Sequence, residues 1–265
     1  MSNNLPVAFG GNPATSQATA IEQSRAIAEV QGAIYVARQF PRDLGRAYND
    51  MRTLCQSPDL ARRAFYKVPN RGEGPTVHLM RELARIFGNL DYGVKELGRD
   101  SKQSEVQAFA WDVQTNTRTT RSFIQPHQRQ TRQGRKELTD LGDIYLSNQN
   151  VGARAVRECI ANVLPVDFVE EAKRICQQTL AGANGDGDKL RENIGQAINA
   201  YAGLQVGQSA LELKVGRAAA DWTAQDLAGL QVIFQSIQNR ETNVADEFQA
   251  APAQSNAEQI LTGGQ

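Results

Sequence analysis

The chain has 265 residues, 29 Lys plus Arg against 29 Asp plus Glu, 40% hydrophobic and 22% charged residues, so it belongs to neither the fibrous nor the wholly disordered classes. A chain of that length buries roughly 70–75% of its unfolded surface, enough for one sizeable domain and a small appendage. It holds no run of about 18 apolar residues and opens with no charged and then apolar leader, which excludes a membrane span and a secretory signal and makes the host-cell cytoplasm the expected location.

The zero net charge hides an asymmetry. Residues 1–180 hold 24 Lys plus Arg against 19 Asp plus Glu, an excess of 5, while residues 181–265 hold 5 against 10, a deficit of 5. A cationic front with an acidic rear suits a chain that meets a polyanion with one part and protein with the other. The three cysteines, Cys55, Cys159 and Cys176, are odd in number and far apart, and are expected as reduced core thiols.

In chain order, residues 1–19 are rich in Gly, Pro, Asn and Ser and are expected as a flexible arm. Ile27, Val30, Ile34 and Ala37 fall at helical spacing, predicting a helix over 21–40 that Pro41 stops. Leu44, Tyr48, Met51 and Cys55 predict a second helix, and Ser57–Pro58–Asp59 starts a short third one reaching Phe65. An extended piece follows. Gly74 and Pro75 are then expected to open a helix whose apolar stripe is Met80, Leu83, Ala84 and Phe87 and which Gly88 ends.

Alternation in "LDYGVKELG" and "SEVQAFAWDV", and a "QTNT" turn leading to a further strand through Arg121, Phe123 and Ile124, predict a β-meander. Two helices follow, stopped at Pro165 and Leu180. "AGANGDGDK" (181–189) is expected as a linker, and three short helical patterns over 190–242, with Thr223 capping the last, as a partner-binding module. Residues 243–265 are expected as a disordered tail. The predicted class is α+β: a helix-backed antiparallel β-hairpin or meander core over 20–180 with flanking helices, plus a small C-terminal three-helix module.

The strongest local signal is "TRTTRSFIQPHQRQTRQGRK" (117–136), with six cations and no carboxylate. Arg118 and Arg121 are expected on a hairpin strand, and Arg129, Arg132, Arg135 and Lys136 on the following loop. Arg presents planar, permanently charged forks suited to phosphates, although a run of this kind can equally be a solvated loop. Arg154 and Arg157, one turn apart on the next helix, either extend this ridge or pair with Glu158 or Asp143. Phe109 and Trp111 share one face of their strand. They either stack on bases at about 1–3 kcal/mol per base or form the core side, since the opposite face offers only Val106, Ala108 and Ala110. The core side is the favoured reading.

Catalytic patterns are sparse. A metal-dependent nuclease would need clustered carboxylates and a lysine, but Asp91 and Glu105 are followed by Gln107 where the lysine is expected. His78 and His127 stand apart from Cys or carboxylate at ligand spacing. Gly72 and Gly74 before a helix lack the following Lys and Ser or Thr of a phosphate cradle. No catalytic residue, metal or cofactor is expected.

Taken in order, "GPTVHLMRELARIFGNLDYGVKEL", "SEVQAFAWDVQTNTR", "LSNQNVGARAVRECIANVLP" and "YAGLQVGQSALELKVGRAAADWTAQDLAGLQVIFQSI" resemble phage single-strand DNA annealing proteins of the broad RecT and Red-beta type, over residues 25–240. The resemblance implies a homo-oligomeric ring or helical filament on single-stranded DNA that pairs complementary strands without ATP in phage recombination. It implies a C-terminal module that meets host single-strand-binding protein or a phage exonuclease. By position it implies that Arg118, Arg121, Arg129, Arg132, Arg135, Lys136, Arg154 and Arg157 line the DNA backbone, with Trp111 beside them. The alternatives are a phage assembly protein whose basic loop meets an acidic protein partner and, third, the nuclease.

Overall fold

The computed structural model describes residues 17–69, 72–131 and 134–248. Helix α1 (Gln17–Gln39) takes up the last three residues of the expected arm, and residues 1–16 lie outside the described ones. From residue 21 onward Ala37 is the buried residue of α1, while Ile27, Val30, Tyr35 and Val36 stand exposed. Helix α2 (Leu44–Cys55) begins where the Asp43 carboxylate accepts from the Arg46 N–H, and buries Ala47, Met51 and Cys55 one turn apart. Helix α3 (Pro58–Ala61) is shorter than expected, because Phe65 already belongs to a strand.

Strand β1 (Phe65–Val68) pairs antiparallel with β2 (Gly72–Pro75). Gly74 therefore sits in a strand and not at a helix start. A methyl group there would come within 2.8 Å of the Tyr66 hydroxyl, so glycine at that point lets the Tyr66 ring lie across the hairpin. The cap is Thr76, whose hydroxyl accepts from the Leu79 N–H at the start of α4 (Val77–Phe87). Leu79, Met80, Leu83, Ala84 and Phe87 are all buried on one stripe of α4, the large ones contributing about 1.5–3 kcal/mol each. Gly88, at φ 74°, ends the helix.

The meander is as expected. Strands β3 (Leu90–Arg99), β4 (Gln103–Asp112) and β5 (Thr117–Pro126) form one antiparallel sheet in the order β3-β4-β5. Asn89 and Asn116 supply left-handed turn positions at φ 53° and 58°. Helix α5 (Leu141–Val163), capped by Asp140, crosses one face of the sheet, and α6 (Val166–Ala183) packs behind α2 and α3.

The face that α5 covers is not the aromatic one. Val106, Ala108 and Ala110 of β4 are fully buried, with Cys159 Sγ 3.7 Å from the Ala108 carbonyl. A methyl on Gly152 of α5 would meet Val94 at 2.8 Å. The alanines and this glycine let helix and sheet approach closely. Phe109 and Trp111 consequently face the other way, and Phe123, paired with Val106, lies on the α5 side.

One ion pair ties the sheet to the helices. Arg42, between α1 and α2, donates to Asp112 at 3.0 Å with both side chains about 5% exposed or less. It also donates to the carbonyls of Phe87 and Gly88 at 2.8 and 2.9 Å, and its guanidinium lies 3.7 Å from the Phe87 ring centre. Burial pushes the Asp112 carboxyl up. The Arg42 hydrogen bond and charge and the Thr115 backbone N–H outweigh it, holding the group below the usual carboxylate range.

The expected linker is mostly helical. Helix α6 runs to Ala183 and α7 (Gly187–Ala202) starts three residues on, so 184–186 are what remains of it. The three helical patterns appear as α7, α8 (Gln208–Val215) and α9 (Ala224–Gln238), the last opened by a reciprocal Thr223–Asp226 capping box. They surround Tyr201, Leu211, Trp222, Leu227 and Leu230. Ala228 and Val232 on another side of α9 join the main core, and α9 packs on β1 and α6. The tail also starts later than expected. Asn243 caps α10 (Val244–Glu247), whose Glu247 pairs with Lys214 at 2.8 Å while Phe248 packs on Tyr201. Residues 249–265 lie outside the described ones.

Candidate nucleic-acid interface

Strand β5 is an edge strand with an exposed or half-exposed residue at every position. Successive side chains on a strand point to opposite faces, so Arg118 and Arg121, three apart, are separated by the sheet itself. Register puts Arg118 opposite Trp111 on the aromatic face and Arg121 opposite Ala108 on the α5 face. The Arg118 guanidinium lies 5.6 Å from the centre of the Phe109 ring, and the Lys95 ammonium reaches the same ring at 4.9 Å. Phe109 is thus capped by two cations, with Gly93 opposite it leaving room for the ring. Trp111 is half-buried and donates its indole N–H to Asn116 at 3.1 Å. Arg121 is exposed, and its positive charge is felt at the Cys159 thiol, whose pKa burial nevertheless pushes up.

The expected basic loop is a second hairpin. Strand β6 (Gln128–Thr131) pairs antiparallel with β7 (Gly134–Glu137), with Arg129 opposite Lys136 and Gln130 opposite Arg135. Arg129 and Lys136 therefore share one face of the ribbon and Arg135 occupies the other. All three are exposed. Arg132 lies outside the described residues. The hairpin is anchored at its base by His127, which is 4% exposed. Its backbone N–H donates to Lys102 and its carbonyl accepts from Leu138, while its ring meets the Ser104 hydroxyl at 2.9 Å. The ring thus joins the hairpin to β4, and the backbone N–H joins it to the β3–β4 turn.

The eight steps of β5 from Arg118 to Pro126 span about 27 Å at a strand's rise, so Arg118 and the second hairpin occupy opposite ends of one continuous edge. Arg154 and Arg157 belong elsewhere, on α5 beside the turn that follows α9. Arg154 is exposed. Arg157 is held by Glu158 at 2.9 Å and lies 4.4 Å from the Tyr66 ring centre, so of its two expected acid partners it takes Glu158. Among the described residues no carboxylate lies within ion-pair distance of Arg118, Arg121, Arg129, Arg135, Lys136 or Arg154. The structure thus resolves the single expected ridge into three places: the aromatic face with Arg118, the edge and hairpin with Arg121, Arg129, Arg135 and Lys136, and the α5 pair.

Sequence reasoning missed two cations at these places, Lys95 and Arg240. Strand parity in "LDYGVKELG" puts Lys95 on one face with Asp91 and Gly93, but only the β3–β4 register sets it against Phe109. Arg240 joins Arg154 and Arg157 in one cavity through tertiary packing alone. The carboxylates Asp91 and Glu105 fall on β3 and β4 in different register pairs, Asp91 with Trp111 and Glu105 with Gly98. The strands hold them several residues apart.

No protein-family model matches the chain, and no curated protein or solved structure is significantly similar to it.

Proposed function

We propose that the chain binds single-stranded DNA through the β5 edge and the β6–β7 hairpin and anneals complementary strands without ATP, as a homo-oligomeric ring or filament. The observation that carries this reading is the set of exposed cations on the second hairpin and its edge strand, Arg121, Arg129, Arg135 and Lys136, none ion-paired among the described residues. Guanidinium groups free of carboxylates attract a phosphate chain, and neutralising it releases counterions whatever the base sequence. Pairing itself needs no catalytic residue, since stacking supplies about 1.4 kcal/mol per base-pair step. The protein's part is to hold strands with their bases accessible. The exposed apolar residues of α1 support the oligomeric part, because an isolated helix of such composition is marginal in water until another surface covers it.

The test is annealing of two complementary labelled oligonucleotides, with and without ATP, alongside particle images. Acceleration independent of ATP, by particles larger than one chain, is expected. Failure to bind single strands would leave the reading of this chain as a protein-binding assembly factor. Metal-dependent shortening of the oligonucleotides, lost on changing Asp91 or Glu105, would indicate the nuclease.

A further inference from the structure

The α5 arginines, once separated from the hairpin, leave a cavity to be explained. It has a volume of about 310 Å³ and lies between α5 and the turn after α9, lined by Asn150, Arg154, Arg157, Asn239, Arg240 and Glu241. Three arginines from two distant parts of the chain thus line one small space, with amides and the small apolar Val77 and Ala153 beside them. Arg157 is oriented in advance by Glu158 and by the Tyr66 ring. Arg240 sits at φ 60°, a left-handed backbone position uncommon for a residue with a Cβ. The turn around it is fixed by backbone donation from Arg240 to Ile237 and from Glu241 and Thr242 to Ser236.

The wall of this cavity also carries unmet polar atoms. Glu241 Oε2 is buried without a hydrogen-bond partner, and so is the hydroxyl of the adjoining Thr242. Burial raises the Glu241 carboxyl even though the charges of Arg154 and Arg157 pull it the other way. Counting Glu158 and an ionised Glu241, three guanidiniums still outnumber two carboxylates. The unpartnered hydroxyl of Thr242 has a proton to donate, and a set of Arg forks on one cavity is the arrangement that phosphate oxygens satisfy in pairs.

We infer that this cavity is a phosphate-binding site, distinct from the β6–β7 hairpin, that takes a terminal phosphate group through Arg154, Arg157 and Arg240. The volume is at the small end of ligand cavities and suits one or two phosphoryl groups or the end of a chain. A terminal phosphate carries more charge than an internal diester and offers three free oxygens to three guanidiniums. Its source is either a free phosphate compound or the phosphorylated end of a strand.

Calorimetric titration of the full chain with inorganic pyrophosphate tests the site, and the double variant R154Q/R240Q controls it. Both side chains are exposed, and neither has an ion pair among the described residues, so the variant is expected to melt with the wild type. Pyrophosphate should bind the wild type, and the variant about tenfold more weakly or worse, the loss expected for a charge-assisted hydrogen bond. A second arm compares 5′-phosphorylated with 5′-hydroxyl oligonucleotides. Preference for the phosphorylated end, erased in R154Q/R240Q, identifies the strand end as the source. Equal affinity for both, with pyrophosphate still bound, identifies a free phosphate compound. No pyrophosphate binding, or binding equal in wild type and variant, overturns the site. The hairpin variant R129Q/R135Q/K136Q should keep pyrophosphate binding, so failure of this site and failure of the DNA-binding reading give different results.

Discussion

The α5-backed sheet and the β6–β7 hairpin use the same residue type in opposite ways. Beside the sheet, Arg42 of the α1–α2 connection is buried against Asp112 of β4, two carbonyls and the Phe87 ring, so its charge is consumed in holding α1 and α2 to the strands. On the hairpin, Arg129, Arg135 and Lys136 project from four-residue strands into solvent with no carboxylate within ion-pair distance among the described residues. Two short strands bury little, and such a ribbon is marginal alone. It is held at its root by His127 and Leu138. The contrast separates cations that make the fold from cations that remain available to a partner.

Changing the sheet's ion pair should break the comparison most severely. Arg42→Ala leaves the Asp112 carboxylate buried without its partner and is expected to cost about 3–5 kcal/mol in denaturant unfolding. The same pair sets an acid limit. Because the folded-state pKa of Asp112 is depressed, its contribution is complete above the unfolded value of about 4 and disappears as pH falls below it. In Arg42→Ala that part of the acid sensitivity should be gone, which unfolding midpoints measured between pH 3 and 6 would show.

Next in size is the helix–sheet approach. Gly152→Val forces new methyl groups against Val94, where even a Cβ would stand at 2.8 Å, and should lower stability by about 1–3 kcal/mol without altering the hairpin. A melt checks the first part and single-strand binding the second.

On the aromatic face the expected effect is smaller and falls on binding. If Trp111 stacks on a base beside Arg118, Trp111→Ala should weaken single-strand affinity by about 1–3 kcal/mol, and Trp111→Tyr, which keeps a ring, should retain most of it. An equal loss in both variants would assign Trp111 to the fold alone.

Much of the architecture was legible in the sequence because periodicity records burial. The stripe of α4 and the strands β3 and β4 appear where the pattern puts them. Which face α5 covers was not legible, since size suggested that Phe109 and Trp111 point toward it; Phe109 is buried all the same, on the other face beneath Lys95 and Arg118, while Trp111 is half-buried. The contact with Gly152 and Val94 is so close that alanines are what fit there. The second hairpin was missed for a related reason: "QRQT" and "GRKE" contain no apolar residue to alternate, and their pairing is fixed by the backbone bonds of His127 and Leu138. The basic stretch itself was visible, and the spacing of three between Arg118 and Arg121 on one strand already puts them on opposite faces; what was not legible is which face α5 covers and that the remaining cations sit on a separate ribbon.

The most direct measurement of the central claim is the salt dependence of single-strand binding by the wild type and by R129Q/R135Q/K136Q. Each phosphate contact to a single strand contributes about −0.7 to the slope of log affinity against log salt, so loss of three should make the slope shallower by about 2, weaken all base sequences alike, and leave the melting temperature unchanged. An unchanged slope, or a loss confined to particular sequences, would contradict the assignment of these cations to a phosphate chain.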